Sequence, residues 1–275
     1  MNVKGGEKNK YIPDIIMEHL HQNGITYINC LPQTSNVTVN DIIKYCKEEG
    51  RKYGKYDVNF EVLIEQAISS GYDKRYSTIN EMTEERNAIL NEFTISFFYV
   101  LKQLNIYNIY KYQDVIIVGI GNGLEGELLY SDIKSLVLVD IAPSSLNQAQ
   151  ELLPQSKIYQ ERADKLFSIP DNSFDTYISL RTYQSTYFDI PSSLLEARRI
   201  LKDNGSIIIS IACGYISENN KFTYGLYNPY NGILEHDRPN MFIDTIKQNF
   251  IKLGFRIVGM KNIQTEIFIY AENNK

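Results

Sequence analysis

The chain of 275 residues has three cysteines and three histidines, no basic excess and no long apolar run. Cys30, Cys46 and Cys213 are far apart and form no CxxC pair. They therefore suggest neither a metal centre nor the disulfide framework of a small secreted fold. No apolar segment approaches the ~20 residues needed to cross a bilayer. No apolar stretch follows Met1–Gly6, so a secretory leader and a membrane partner are not expected, and cytoplasmic residence is the default. The net charge is −5. Lys44, Lys47, Arg51, Lys52 and Lys55 form a short cluster broken by Glu48 and Glu49, which reads as a solvated helix end and loop. A protein that grips nucleic acid through phosphates usually shows a clustered basic face, so this balance argues against nucleic acid as a partner. The length suits one α/β core with a substantial extra module, as a monomer or a homodimer.

The most informative stretch is Val115-Ile116-Ile117-Val118-Gly119-Ile120-Gly121-Asn122-Gly123. Its apolar, mostly β-branched run reads as a buried parallel strand that stops at a glycine-rich turn, with a helix expected from Leu124. Glycines let a ligand approach the backbone closely, and the amides opening a helix favour electron-rich groups. A second strand, Leu136–Val139, ends at Asp140, about 20 residues on, where a carboxylate can accept the hydroxyls of a ribose. Gly121-x-Gly123-x-x-Gly126 satisfies the dinucleotide fingerprint, and Gly119-x-Gly121-x-Gly123 the looser GxGxG pattern, so the turn alone leaves two nucleotide-type cofactors open.

The remaining order separates them. A helix over Ser144–Leu152 leads to a strand near Ile158–Arg162 and then to Ala163-Asp164. Pro170-Asp171-Asn172-Ser173-Phe174-Asp175 enters a strand at Thr176–Leu180. A helix at Ser192–Leu201 leads through Leu201-Lys202-Asp203-Asn204-Gly205-Ser206 to a strand at Ile207–Ala212. This order resembles the class I S-adenosylmethionine-dependent methyltransferase family, in particular its small-molecule branch, well over Gln113–Ala212 and in outline beyond. The resemblance implies a Rossmann-like, mostly parallel sheet whose final strand is inserted antiparallel, with S-adenosyl-L-methionine as cofactor. It implies cofactor contacts from Gly119, Gly121, Gly123, Asp140, Ile141, Leu180 and Arg181, with Ala163 or Asp164 meeting the adenine amino group. One departure stands out: the family often has Asp or Glu two residues before the first glycine, where this chain has Ile117.

About 110 residues precede the first strand and read as helical: Ile12–Leu20, a helix opened by Thr38-x-x-Asp41 and running to about Glu48, Val58–Ser70, and a long helix from Thr83 to about Leu104. Gly71–Thr78 reads as a polar, tyrosine-rich break. Residues 1–110 are thus expected to form a helical cap, and residues 111–275 the core. Residues 214–239, rich in tyrosine, follow a strand and suit a substrate lid, with helix Asn240–Leu253 and a hairpin of Phe255–Ile263 and Glu266–Ala271 after them.

By the same resemblance, Tyr72, Tyr76, Gln184, Tyr224 and Tyr227 are substrate-side candidates. Methyl transfer is an in-line displacement that the protein chiefly aligns, and a protonated acceptor also needs a base. Candidates for that role are His236, within Glu235-His236-Asp237-Arg238, and Tyr183 and Tyr187 after the fourth strand. Arg181 has a second possible role, pairing with Asp175 or Glu196. The Asn-Pro-Pro-Tyr signature of amino-base methylation is missing here. The reading is methyl transfer to a small-molecule acceptor, aromatic or amine. The alternatives are an RNA cap-type methyltransferase, a non-catalytic subunit of the same fold and a nicotinamide enzyme.

Overall fold

A computed structural model of the chain describes residues 12–32, 37–79, 97–121, 132–183, 188–212, 214–216, 222–224, 226–228, 232–234, 239–263 and 266–275. Three helices open it: α1 (Ile12–Gln22), α2 (Val39–Lys52) and α3 (Phe60–Ile79). The start of α2 is set by a capping box. The Thr38 hydroxyl accepts from the Asp41 amide at 3.2 Å, and the Asp41 carboxylate accepts from the Thr38 amide at 2.9 Å. Two of the amides left without intrahelical partners are thereby satisfied.

Apolar residues at helical spacing give these helices a core of their own. It joins Ile16 and Leu20 of α1, Ile42 and Cys46 of α2, and Phe60 and Ile64 of α3. Complete burial of each large side chain contributes roughly 1.5–3 kcal/mol. The expected break at Gly71–Thr78 is instead the continuation of α3. The helix goes on because its outer turns pack on the sheet-bearing part of the chain, a tertiary contact that overrides the polar local pattern.

The strands that follow are β1 (Asp114–Val118), β2 (Ser135–Asp140), β3 (Lys157–Gln160), β4 (Phe174–Ser179) and β5 (Leu201–Ala212). Four three-residue strands come next, β6 (Gly214–Ile216), β7 (Phe222–Tyr224), β8 (Leu226–Asn228) and β9 (Gly232–Leu234), and then β10 (Phe255–Ile263) and β11 (Glu266–Asn273). Between them lie α4 (Pro143–Leu152), α5 (Ile190–Ile200) and α6 (Pro239–Lys252). The main sheet has seven strands in the order β10-β11-β5-β4-β1-β2-β3. β1 to β5 pair in parallel, and β11 runs antiparallel between β5 and β10, as expected. In the expected lid, β6–β7 and β8–β9 form two small antiparallel hairpins.

Successive side chains of a strand point to opposite faces. Ile116, Val118, Val137 and Val139 therefore enter one core layer, closed by Leu194, Ala197 and Ile200 of α5 and by Ile246 and Phe250 of α6. Val115, Ile117, Leu136 and Leu138 enter the other, closed by Leu146 and Ala149 of α4 and by Phe97, Val100 and Leu101 of a helical segment at 97–103. β5 begins six residues earlier than the sequence suggests. Its pairing with β4 steps from Phe174–Leu201 to Thr176–Ser206, so Lys202–Gly205 bulge out of the ladder without ending the strand.

Candidate functional site

β1, β2 and β3 step outward in one direction, and β4 then returns to the other side of β1. The carboxyl ends of β1 and β4 are thus a topological switch point, where open α/β sheets leave a crevice for ligands.

The backbone turns sharply there. Gly119 has φ +75° and Gly121 φ +52°, both in the region where a Cβ is strained. The Gly119 amide bonds the Val139 carbonyl at 2.8 Å, which ties the turn to the end of β2. A Cβ on Gly119 would lie 2.2 Å from the Thr182 hydroxyl oxygen, so the turn also presses on the segment leaving β4.

Asp140, the last residue of β2, is buried against this turn. One carboxylate oxygen accepts from the Gly121 amide and the other from the Ala142 amide, each at 2.9 Å. The Ser145 hydroxyl in turn donates to the Gly121 carbonyl. Burial pushes the Asp140 carboxyl above its ordinary value, and the amides of Ala142 and Gly121 oppose that shift. Ile117, at the position where an acid is common, is wholly buried and pairs with Leu138 and Ile178 inside the sheet.

On the far side of Asp140, α3 lies over the strand ends. The Ser69 hydroxyl donates to the Ile141 carbonyl at 2.7 Å, and the Ser144 amide donates to Asp73 at 2.6 Å. Ala142, the N-cap of α4, offers no capping side chain, and Asp73 bonds an open amide of that helix from 71 positions away.

The turn after β3 is held more firmly. Arg162 donates through two nitrogens to Asp164, at 2.8 and 2.6 Å, through a third to Glu65 of α3 at 2.9 Å, and also to Asn40 of α2. The Arg162 and Asp164 side chains are only 9% and 7% exposed. Asn40 also donates to Asp189, the N-cap of α5, at 2.8 Å. One cluster thus links α2 and α3 to the loops that follow β3 and β4.

After β4, Leu180 is buried and Arg181 has φ +57°. Arg181 pairs with neither Asp175 nor Glu196. Its guanidinium forms two bonds, at 2.8 and 3.0 Å, to the buried Glu266 of β11, which the Ser210 hydroxyl also meets at 2.8 Å. Asp175 is bonded by Lys202, and Glu196 by Arg199. Tyr183 is buried, its ring 5.0 Å from that of Phe188 and in the same apolar layer as Tyr177. Burial, and then the neighbouring Tyr177, push its hydroxyl well above the ordinary value, so it is protonated at neutral pH.

Gly119, Gly121, Asp140, Ile141, Leu180 and Arg181 therefore stand at the carboxyl ends of β1, β2 and β4, with Ala163 and Asp164 after β3. Tyr72 is half-buried against the core shared by α1, α2 and α3. Gly123, Gln184, Tyr187 and His236 lie outside the described residues, as do the side chains of Tyr76, Tyr224 and Tyr227. The reading of the sequence missed Thr182, Ser210 and Glu266, and on α2 and α3 Asn40, Ser69 and Asp73. Of these only Glu266 had a visible signal, a carboxylate opening an otherwise apolar strand.

Residues 116–209 match the family described as the methyltransferase domain. No curated protein matches the chain. Among solved structures, a chain from the complex between the Haloferax volcanii Trm112 methyltransferase activator and a methyltransferase is 14% identical, with 74% of this chain and 98% of its own covered at a TM-score of 0.52. An S-adenosylmethionine-dependent methyltransferase from Mesorhizobium loti is also 14% identical, with 60% and 92% covered at 0.47. The family match thus describes residues 116–209 as a methyltransferase domain, and at such identities the wider likeness to solved structures is one of fold.

Proposed function

We propose that this methyltransferase domain transfers a methyl group from S-adenosylmethionine to a small-molecule acceptor, with residues 1–110 as cap and 111–275 as core. The observation that carries this reading is the joint placement of the Gly119–Gly121 turn and the Asp140 carboxylate at the switch point of the sheet.

The residues present suit the cofactor. Each Asp140 oxygen takes one of the two backbone amide bonds, and a carboxylate oxygen can accept twice, which leaves capacity for the two hydroxyls of a ribose. Ile141 and Leu180 would flank the adenosine. The Ala163–Asp164 turn would meet the adenine edge, and Gly119, Gly121 and Gly123 would let the methionine end approach the backbone. Bound S-adenosylmethionine supplies a methyl group already activated on a sulfonium sulfur. The chain's task is alignment of donor and acceptor, the larger part of the acceleration.

The acceptor would enter at the ends of β4 and β5, where the Arg181–Glu266–Ser210 cluster stiffens the wall. Tyr72, Tyr76, Gln184, Tyr224 and Tyr227 would line its path, which suits an aromatic or cationic acceptor. Where a proton must leave, His236 or Tyr187 would take it. Tyr183 would need to leave its buried position before it could do so.

Ile117 favours a second reading, a subunit of this fold that binds without catalysis, because the acid that usually helps organise the turn is replaced by a core side chain.

Calorimetric titration with S-adenosylmethionine, S-adenosylhomocysteine and NADH tests the proposal. Micromolar binding of the first two and none of NADH is expected, with Asp140→Ala losing at least tenfold. Equal binding by Asp140→Ala sinks the ribose assignment. Tight binding without turnover on any aromatic or amine acceptor favours the second reading.

A further inference from the structure

Away from the glycine turn, one groove gathers cations from distant parts of the chain. Lys44, Lys47 and Arg51 are three and four positions apart on α2, so they share one helical face. Lys165, from the turn after β3, closes the groove opposite them, and the cavity so formed measures about 460 Å³. Glu48 and Glu61 also line it, which leaves four cations against two carboxylates in a chain of net charge −5.

Glu61 shows what this groove attracts. It is bonded by Lys165 and lies 3.7 Å from Lys47. The Lys165 bond, more than the charges of Lys165 and Lys47, holds the Glu61 carboxyl below its ordinary value against the effect of burial. Lys44 and Arg51 make no ion pair with a carboxylate within 4.0 Å among the described residues. Elsewhere on the surface Lys52, Lys134, Lys202, Arg199 and Arg256 are each paired. The sequence alone reads the α2 cluster as an ordinary solvated face, because Lys165 is more than a hundred positions away.

We propose that this groove binds a small organic phosphate. Lysine and arginine donors suit phosphate oxygens. The cavity lies within the roughly 300–1,000 Å³ of small-ligand sites. Four cations on an acidic chain are too local for a tract of nucleic acid, which calls for an extended basic face. Phosphate oxygens would take the donors of Lys44 and Arg51, and would share Lys47 with Glu61 and Lys165 with both Glu61 and Glu65, the latter 3.0 Å from it. The site is separate from the methyl-donor cradle: Gly119, Gly121 and Asp140 do not line it. It adjoins that cradle through Lys165, the neighbour of Asp164, and through Asn40, which donates to Asp164.

The test is calorimetric titration of the full chain with inorganic pyrophosphate, ribose 5-phosphate and a 20-nucleotide RNA. An ionic strength of about 0.15 M limits unscreened attraction to about 8 Å. Saturable binding of the two phosphates is expected. The double variant Lys44→Gln/Arg51→Gln, on exposed positions of α2, should bind them at least tenfold more weakly, with an unchanged melting temperature and unchanged S-adenosylhomocysteine affinity. Absence of saturable binding at about 1 mM phosphate overturns the proposal. So does equal affinity in the double variant, or binding of the RNA alone. S-adenosylhomocysteine titrated in parallel reports on the methyl-donor cradle, so loss of one reading leaves the other standing.

Discussion

Replacement of Gly119 by alanine tests the geometry of the turn most directly. Two costs fall on this position. A side chain in the left-handed region costs about 1–2 kcal/mol. The new Cβ would also meet Thr182, at 2.2 Å from Oγ1, 2.8 Å from Cγ2 and 3.0 Å from Cβ, so the segment leaving β4 must move. Forced insertion into a packed site adds about 1–3 kcal/mol. The expected loss is therefore about 2–5 kcal/mol, or roughly 4–20 °C in melting temperature for a chain of this size. Gly24→Ala is the control, because Gly24 has φ +78° and nothing within 4 Å of its Cβ. That variant incurs the backbone cost alone, about 1–2 kcal/mol. Urea denaturation followed by circular dichroism gives both values, and their difference isolates the clash with Thr182. The double variant Gly119→Ala/Thr182→Gly should recover that difference and no more. Equal stability losses for Gly119→Ala and Gly24→Ala would refute the close approach of turn and loop. A melting temperature for Gly119→Ala within 1 °C of wild type would refute the strained turn itself.

Three further outcomes are expected. Arg162→Ala leaves Asp164 buried without its bidentate partner and should cost about 3 kcal/mol, read by urea denaturation. Arg162→Lys should recover less than half of that, because one ammonium cannot reproduce the three-way contact; full recovery would contradict it. Thr38→Ala should cost about 1 kcal/mol by removing the cap of α2. Asp41 in the same box is held below its ordinary value, first by the Thr38 amide and then by the Thr38 hydroxyl. Its contribution is therefore complete above an unfolded value of about 4 and lost as pH falls through the lower folded value, so the gap between Thr38→Ala and wild type should narrow in acid denaturation. Glu266→Gln should cost about 2 kcal/mol through weakened bonds to Arg181 and Ser210, and an unchanged melting curve would make that cluster incidental.

The strand order, the turn at Gly119 and Gly121, the carboxylate at Asp140 and the capping box at Thr38–Asp41 were legible in the sequence. Each rests on short-range physics: β-branched runs that bury on both faces, glycine where φ is positive, and a hydroxyl three positions before a carboxylate. The extent of α3 through Gly71–Thr78 was not legible, since a polar segment becomes helical there by packing on the core. Nor was the partner of Arg181, because Glu266 reaches it only when β11 inserts beside β5, 85 positions along the chain. The cluster of Asn40, Glu65, Arg162 and Asp164, and the groove that joins Lys165 to α2, likewise exist only once α2 and α3 pack beside the turn after β3. Local pattern specified the elements and the cradle. Ion pairs and hydrogen bonds between residues a hundred positions apart follow no sequence period, and tertiary structure alone decided them.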